Sequence, residues 1–427
     1  MKFVTDIDKK EYEEFVSTNP NGHFMQSYYF GEIQKEKNFI PHYVGVKEKN
    51  KLICSALLLE KKLVLGYSYF YCPRGYVIDF HNTKLLDFFT NSLKKYAKEQ
   101  KAIFIKIDPA LKLHDLDKEG QVIENGTNNE KVIAYLKKIG YKHYGYNLNF
   151  ENQQPRFTFR IDMDKPWEEV YNAMHPTTRK ILNKKNQYNL SIYKGSIKDM
   201  KDFYITMQET AKREGILQAP ISYYETFYSI FNKQNLSDLY VVKVNIKDLI
   251  STFNKKIDEV EEEIKQLNDE KYKNKGKAKN KIMDLTNQIN KLKKDLEEIK
   301  KVKEKEVVLS SIITVKYKDM VWTVHGGNNS ILMNLNGNYL CYYTIMKDAY
   351  EEGYKRMDCF GTCGTFNPDK KNPIYGLHSF KKRLGGEYIE FIGEFDLITN
   401  KCMYFLFKKL IPLYRKIIRT IKKKEQK

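Results

Sequence analysis

Along the first third of the chain the apolar positions switch between two periods. "HYVGVKEKNKLICSALLLEKK" (His42 to Lys62) alternates in the manner of two strands around a turn at Lys47 to Lys51. "KLLDFFTNSLKKYAKEQ" (Lys84 to Gln100) has its apolar residues on one helical face, and "AIFIKIDP" (Ala102 to Pro109) reads as a buried strand stopped by Asp-Pro. A second helix, "EKVIAYLKKIGY", ends at Gly140, where a left-handed residue commonly closes a helix. After Pro155 the theme restarts. "RFTFRIDM" predicts a strand, "PWEEVYNAM", "TTRKILNKKNQYN" and "DMKDFYITMQETAKREG" predict helices, and "LYVVKVNI" predicts another strand. Strand periodicity returns in "VVLSSIITVKYKDMVWTVHGG" (Val307 to Gly327), followed by a helix in "LNGNYLCYYTIMKDAYEEGY" and a strand in "RMDCFG". This is an α/β reading with helices packed on mixed sheets, two copies of one theme without a sequence repeat.

Between those copies the period changes again. Ile250, Phe253, Ile257, Val260, Ile264 and Leu267 fall at alternating steps of three and four, and so do Ile282, Leu285, Ile289, Leu292, Leu296 and Ile299. Two a/d seams joined by a short turn predict an antiparallel coiled-coil hairpin, each arm roughly 35–40 Å long at ~1.5 Å per residue. Its tip, "KYKNKGKAKNK" (Lys271 to Lys281), holds six lysines and no acid. It fits a solvated turn equally with a finger that touches a phosphate backbone.

Charge and length narrow the class. The 427 residues are too many for one core and leave room for an enzyme. A formal net charge of +20 favours a polyanionic partner: nucleic acid, an anionic membrane surface or a phosphorylated substrate. The segment from Lys401 to Lys427 is basic on one face and apolar on the other, "FLFKKLIPLYRKIIRTIKKK". It suits either a helix lying on anionic lipid or one packed on its own domain. No stretch is long and apolar enough for a transmembrane span and none reads as a signal peptide, which predicts a cytoplasmic protein. Six scattered cysteines favour reduced thiols over disulfides or zinc.

Familiar catalytic motifs are missing from the sequence: there is no P-loop, no H-E-x-x-H and no G-x-S-x-G elbow. The [RQ]-x-x-G-x-[GA] turn that takes an acetyl-CoA pyrophosphate is also missing. The stretch "YGLHSFKKRLGG" (Tyr375 to Gly386) sets three cations between glycines, and alone it is open between a functional turn and a basic loop. Asp108 and Asp358 each end a predicted strand, where a carboxylate faces a cleft in many α/β folds, although Asp-Pro is also a plain strand stop. Tyr224 and Tyr342 are hydrogen-bonding residues suited to line such a cleft. His325 and His378 could titrate near neutrality, but a lone histidine is more often structural.

Several blocks carry a family resemblance in their order along the chain. They are "HFMQSYYFGEIQKEKN" (His23 to Asn38), "FYITMQETAKREGILQAPISYYETF" (Phe203 to Phe227), the helical hairpin before "VVLSSIITVKY", then "YEEGYKRMDCFG" and "NPIYGLHSFKKRLGGEYIEFIGEFD". Together they resemble the Fem family, the FemA-, FemB-, FemX- and MurM-like peptidoglycan-bridge aminoacyltransferases, and the arm is the FemA-like feature. The resemblance runs to about Asn400. It implies two N-acetyltransferase-like domains, residues 1–150 and residues 151–245 with 307–400, an inserted arm at 246–306 and a basic tail at 401–427.

The same resemblance implies a reaction and its partners. An amino acid (Gly, Ala or Ser) would pass from aminoacyl-tRNA to the stem peptide of lipid II, or of its soluble UDP-linked precursor, at the cytoplasmic face of the membrane. Its protein partners would be a second copy of itself or related Fem enzymes. No cofactor is implied, because an aminoacyl ester is already activated; the enzyme has to juxtapose two substrates, accept a proton and stabilise a tetrahedral oxyanion. In the family's "FK" block a lysine follows a phenylalanine near the acyl-transfer centre, which implies Phe380 and Lys381. Lys35 and Arg213 would bind the precursor's diphosphate, Asp108 is a candidate base, and Lys273, Lys275 and Lys277 on the tip would meet tRNA. Two other classes stay open: a non-catalytic RNA-binding or membrane-associated protein, and another aminoacyl-tRNA-dependent transferase, of protein N-termini or of lipids.

Overall fold

A computed structural model describes residues 1–151, 153–268 and 275–409. The strands are β1 (Lys2–Val4), β2 (Ile40–Glu48), β3 (Lys51–Lys62), β4 (Ser68–Cys72), β5 (Ala102–Ile107), β6 (Tyr141–His143), β7 (Phe157–Asp162), β8 (Ser191–Gly195), β9 (Leu239–Asn245), β10 (Glu306–Tyr317), β11 (Met320–Asn328), β12 (Arg356–Thr362), β13 (Glu387–Glu390) and β14 (Phe395–Ile398). They form two seven-stranded mixed sheets in the orders β1-β2-β3-β4-β5-β14-β6 and β13-β7-β12-β11-β10-β9-β8. The α/β reading with mixed sheets is borne out. The β4–β5 and β11–β12 pairs are parallel.

Local chemistry accounts for the edges of these elements. The β2–β3 hairpin turns on Lys49 and Asn50, both left-handed at φ 47° and 62°, the pair of positive angles a tight hairpin needs. Past the turn, Cys54 to Leu59 are all buried, so β3 runs as a central strand between β2 and β4. Helix α1 (Lys9–Thr18) starts where Asp8 accepts the N–H groups of Lys10 and Glu11, and α2 (Tyr28–Gln34) starts at Ser27, whose hydroxyl caps Phe30. Helix α3 (Thr83–Glu99) starts at Asn82, which caps Leu85, and buries Leu85, Leu86, Phe89 and Leu93 in the first sheet's core. Helix α4 (Glu130–Lys138) adds Val132, Ile133 and Leu136 to it.

The remaining helices are α5 (Trp167–Ala173), α6 (Pro176–Asn183), α7 (Met200–Glu214), α8 (Ile221–Asn232), α9 (Ile246–Asn268), α10 (Lys275–Lys300), α11 (Gly337–Glu351) and α12 (Tyr375–Lys382). The a/d residues expected to face one another do so in part: Val260 and Leu267 of α9 cluster with Leu285 and Ile289 of α10, with Ile264 and Ile282 at the margin. Lys281 pairs with Glu263 at 2.7 Å and Lys293 with Glu261 at 2.8 Å. Residues 401–409 continue as helix, and Tyr404 packs on Ile103 and Phe104. No helix among the described residues is long and apolar enough to cross a membrane.

The chain separates into two compact units. One takes Met1–Asp164, Lys316–Trp322 and the described residues from Arg356 on; the other takes Lys165–Val315 and Thr323–Lys355.

Candidate active site

The first unit holds Lys35, Asp108, Phe380 and Lys381, and the second holds Arg213, Tyr224 and Tyr342. Asp108 follows the last residue of β5 and is buried, 3% exposed. Its carboxylate accepts the Tyr71 hydroxyl at 2.7 Å and the Arg74 backbone N–H at 2.6 Å. Burial pushes its pKa up to about 6, against the pull of the Arg74 charge. A carboxyl with that affinity exchanges a proton near neutrality, which suits a general base. It also has a structural task, since it ties β4's C-terminal turn, where Arg74 is left-handed at φ 53°, to the end of β5.

Tyr375 to Lys382 forms a helix, not the loop that its bracketing glycines allowed. His378 and Lys381, three apart, share its buried face, while Lys382 lies outside with its ammonium 3.6 Å from the Phe366 ring centre. Lys381 is 5% exposed, and its ammonium donates to the carbonyls of Gly361 at 2.7 Å and Phe360 at 3.2 Å. Those carbonyls sit where the β12–β7 register shifts between Asp358 and Gly361, and Phe360 is left-handed at φ 61°. A side chain at Gly361 would press Pro155 at 2.4 Å, so glycine is required there. Burial lowers Lys381 to about 8, with Cys359 and Asp358 raising it in part. Two of its three N–H bonds have acceptors among the described residues, which leaves one for another group.

Asp358 anchors the other end of that bulge. It accepts Thr158 Oγ1 at 2.6 Å and the Phe360 N–H at 2.8 Å, and pairs with Arg160 at 3.1 Å. His378 Nε2 faces the Phe366 carbonyl at 2.9 Å, while Nδ1 faces Thr362 Oγ1 at 2.9 Å and Cys363 Sγ at 3.2 Å. Burial keeps this imidazole below its usual range and the thiol above its own, so the pair is a neutral Cys–His contact and no activated nucleophile.

Lys35 caps the end of α2 in the open, half exposed and paired with Glu32 at 2.7 Å. In the second unit Arg213 sits in the last turn of α7, which is closed by Gly215, left-handed at φ 64°. Its guanidinium donates to the Asn328 carbonyl at 3.2 Å and pairs with Glu214 at 3.0 Å. Tyr224 packs edge-on to His325 with ring centres 5.2 Å apart, and burial raises its phenol to about 12. The Tyr342 hydroxyl accepts from Thr323 at 3.4 Å. Lys273 lies outside the described residues, as do the side chains of Lys275 and Lys277.

Sequence reasoning missed Tyr71, Arg74, Thr158 and Arg160, the residues that fix the two buried carboxylates. Their only sequence signal is placement in or just after strands that pair with, or run beside, those of Asp108 and Asp358, and pairing is set by contacts far apart along the chain.

Comparison with known proteins gives one consistent picture. Residues 7–411 match the model of the FemAB family. The chain is 31% identical over 431 residues to a protein named Lipid II:glycine glycyltransferase from Staphylococcus aureus strain MRSA252, covering 98% of this chain and 99% of the relative. The namesake from strain USA300 is 30% identical over the same span. The crystal structure of FemX superposes with a TM-score of 0.74 at 29% identity, over 96% of this chain and 100% of that one.

Proposed function

Since the chain belongs to the FemAB family, we propose that it transfers glycine, alanine or serine from aminoacyl-tRNA to the stem peptide of lipid II, building the peptidoglycan interpeptide bridge. The observation that carries this reading is the nearly full-length likeness to proteins named for glycyl transfer to lipid II. Aminoacyl transfer in bridge synthesis rests on that likeness; the tRNA donor and the choice of amino acid are the proposal's own.

The reaction is attack of a stem-peptide amine on an aminoacyl ester with loss of the tRNA ribose oxygen. The ester is already activated, so no cofactor is needed. The work left for the protein is to hold both substrates, take a proton from the amine and offset charge on the tetrahedral oxyanion. Lys381, buried and with one N–H bond to spare, supplies a fixed positive charge for that oxyanion or for the tRNA terminus. Asp108 has the proton affinity for the base. Arg213 and Lys35 present cations to the precursor's diphosphate, Arg213 in a geometry capable of bidentate contact. Tyr224, Tyr342 and Phe380 are assigned to substrate contact. The lysines at the arm tip, Lys273, Lys275 and Lys277, meet tRNA, and the basic tail holds the protein on the inner leaflet.

The test is mass spectrometry of lipid II incubated with the purified protein, total tRNA, synthetases and mixed amino acids, with and without ribonuclease. A ribonuclease-sensitive mass gain on the stem peptide is expected and would identify the amino acid. No gain on lipid II or on the UDP-linked precursor, with charged tRNA present, would overturn the reading.

A further inference from the structure

The first unit contains a cavity of about 120 Å³, room for on the order of four waters at ~30 Å³ each. Its charge is lopsided. Arg74, Arg160, Lys318 and Arg356 line it, against a single carboxylate, Asp319. Two of these cations are neutralised: Arg356 donates to both oxygens of Asp319 at 2.9 and 2.6 Å, and Arg160 pairs with Asp358. The other two are not.

Arg74 is only 7% exposed. Its guanidinium donates to the Pro155 carbonyl at 2.7 Å and lies 4.6 Å from the Phe391 ring centre. The Lys318 ammonium, at the β10–β11 turn, donates to the carbonyls of Asn19 and Pro20. Neither cation forms an ion pair among the described residues; Lys318 feels the field of Asp319, but both oxygens of that carboxylate are taken by Arg356. Asp108 feels the Arg74 charge but bonds its backbone N–H instead of its guanidinium. Carbonyl dipoles and a ring face solvate a cation without neutralising it. A guanidinium taken almost wholly out of water is normally matched by an anion, because removing it from water costs several kcal/mol on the order given for buried ions.

His23 stands in the same lining. Its Nδ1 accepts the Met25 N–H at 3.1 Å, which puts the proton of the neutral ring on Nε2 and makes that nitrogen a donor. Burial first, and then the fields of Arg74, Arg160 and Lys318 together, hold this imidazole well below its usual range, so the cationic field converges on the cavity.

We propose that this cavity is a binding site for a small oxyanion, a phosphate or carboxylate group, held between Arg74 and Lys318. It uses neither of the Lys35 and Arg213 cations assigned to the diphosphate above, and it stands or falls independently of aminoacyl transfer.

Trp322 lines the cavity, 5.1 Å from His23 between ring centres, and reports on it. The chain has two tryptophans, so Trp167→Phe leaves Trp322 as the sole tryptophan, excited at wavelengths that tyrosine does not absorb. That full-length variant is titrated with inorganic phosphate, pyrophosphate and acetate, each at constant ionic strength against chloride. A saturable fluorescence change is expected, weakened about tenfold or more by Arg74→Gln and by Lys318→Gln, as loss of a charge-assisted hydrogen bond implies. Arg74 is buried and its variant can fail to fold, so Lys318→Gln, on the half-buried β10–β11 turn, carries the test in that case. Saturation by phosphate or pyrophosphate alone assigns a phosphate source, and by acetate alone a peptide carboxylate. A response no different from chloride, or one that survives unchanged in Lys318→Gln, overturns the site.

Discussion

Asp108 accepts the backbone N–H of Arg74 at 2.6 Å, so a carboxyl raised to about 6 holds the turn whose guanidinium faces the basic cavity. The folded-state value lies above the unfolded one, near 4. Between those two values the folded protein binds more protons than the unfolded chain, so stability falls as pH rises from about 4 to about 6. A shift of about two units corresponds to about 3 kcal/mol. Asp108→Asn keeps an acceptor for Arg74 and removes the ionisation. The expected outcome is that wild type loses about 3 kcal/mol relative to this variant across that pH window, measured by urea unfolding. Parallel curves would mean that the carboxyl titrates as an ordinary aspartate.

Lys381 has the opposite sign. Its folded value near 8 lies below the usual lysine range, so the cost of burying the ammonium is fully present at pH 7 and is relieved as pH rises from about 8 toward 10.5. Lys381→Met removes that cost but leaves the Phe360 and Gly361 carbonyls without their donor, and the two effects oppose each other at about 3 kcal/mol each. A small change in stability at pH 7 is therefore expected, together with a fall in transfer rate on the order of a hundredfold, the scale of losing one oxyanion stabiliser. Single-turnover transfer alongside thermal melting checks it. Equal loss of fold and rate would reduce Lys381 to a prop for the bulge.

The parts of this molecule that were legible in the sequence are those set by local periodicity. The β2–β3 hairpin, α3, β5 and α7 follow from apolar spacing and turn residues, because each is specified by its own neighbours. Strand partnership is different. "EYIEFIGEF" reads as one strand, yet Glu387–Glu390 pairs with β7 while Phe395–Ile398, past a left-handed Gly393, inserts between β5 and β6 of the other sheet. Nothing within those residues names their partners, some 230 to 290 positions away. Asp108 was visible as a strand end, whereas Asp358, expected to end a strand, lies inside β12 just before its bulge; the cavity was not visible, since Arg74, Lys318 and His23 meet only through tertiary packing. The residues around Lys381 left it open between a functional turn and a basic loop, and only the family resemblance singled it out, because its burial comes from the bulge beneath a short helix.

Leu285 packs with Val260, Leu267 and Ile289 in a cluster confined to α9 and α10. Truncation to alanine removes apolar contact from a seam with few neighbours to collapse into it, a loss of about 2–3 kcal/mol. The expected effect of Leu285→Ala is faster amide exchange throughout α9 and α10, with β2 to β5 protected as before. Mass-spectrometric hydrogen exchange distinguishes this from global destabilisation, in which the strands would open equally.

Arg213 is fixed to the end of β11 through the Asn328 carbonyl, its other contacts to Thr210 and Ser330 are long at 3.5 Å, and its side chain is about one-third exposed. An arginine placed to bind a substrate phosphate in both ground and transition states alters KM more than kcat. Arg213→Ala is expected to raise KM for lipid II about tenfold or more with kcat within severalfold, and Arg213→Lys to recover part of that loss, because a point charge replaces a bidentate fork. Steady-state kinetics at varied lipid II and saturating aminoacyl-tRNA separates the two parameters. A fall in kcat at unchanged KM would instead place Arg213 at the reacting centre, and no effect on either would leave it as a pin between α7 and the loop at Asn328.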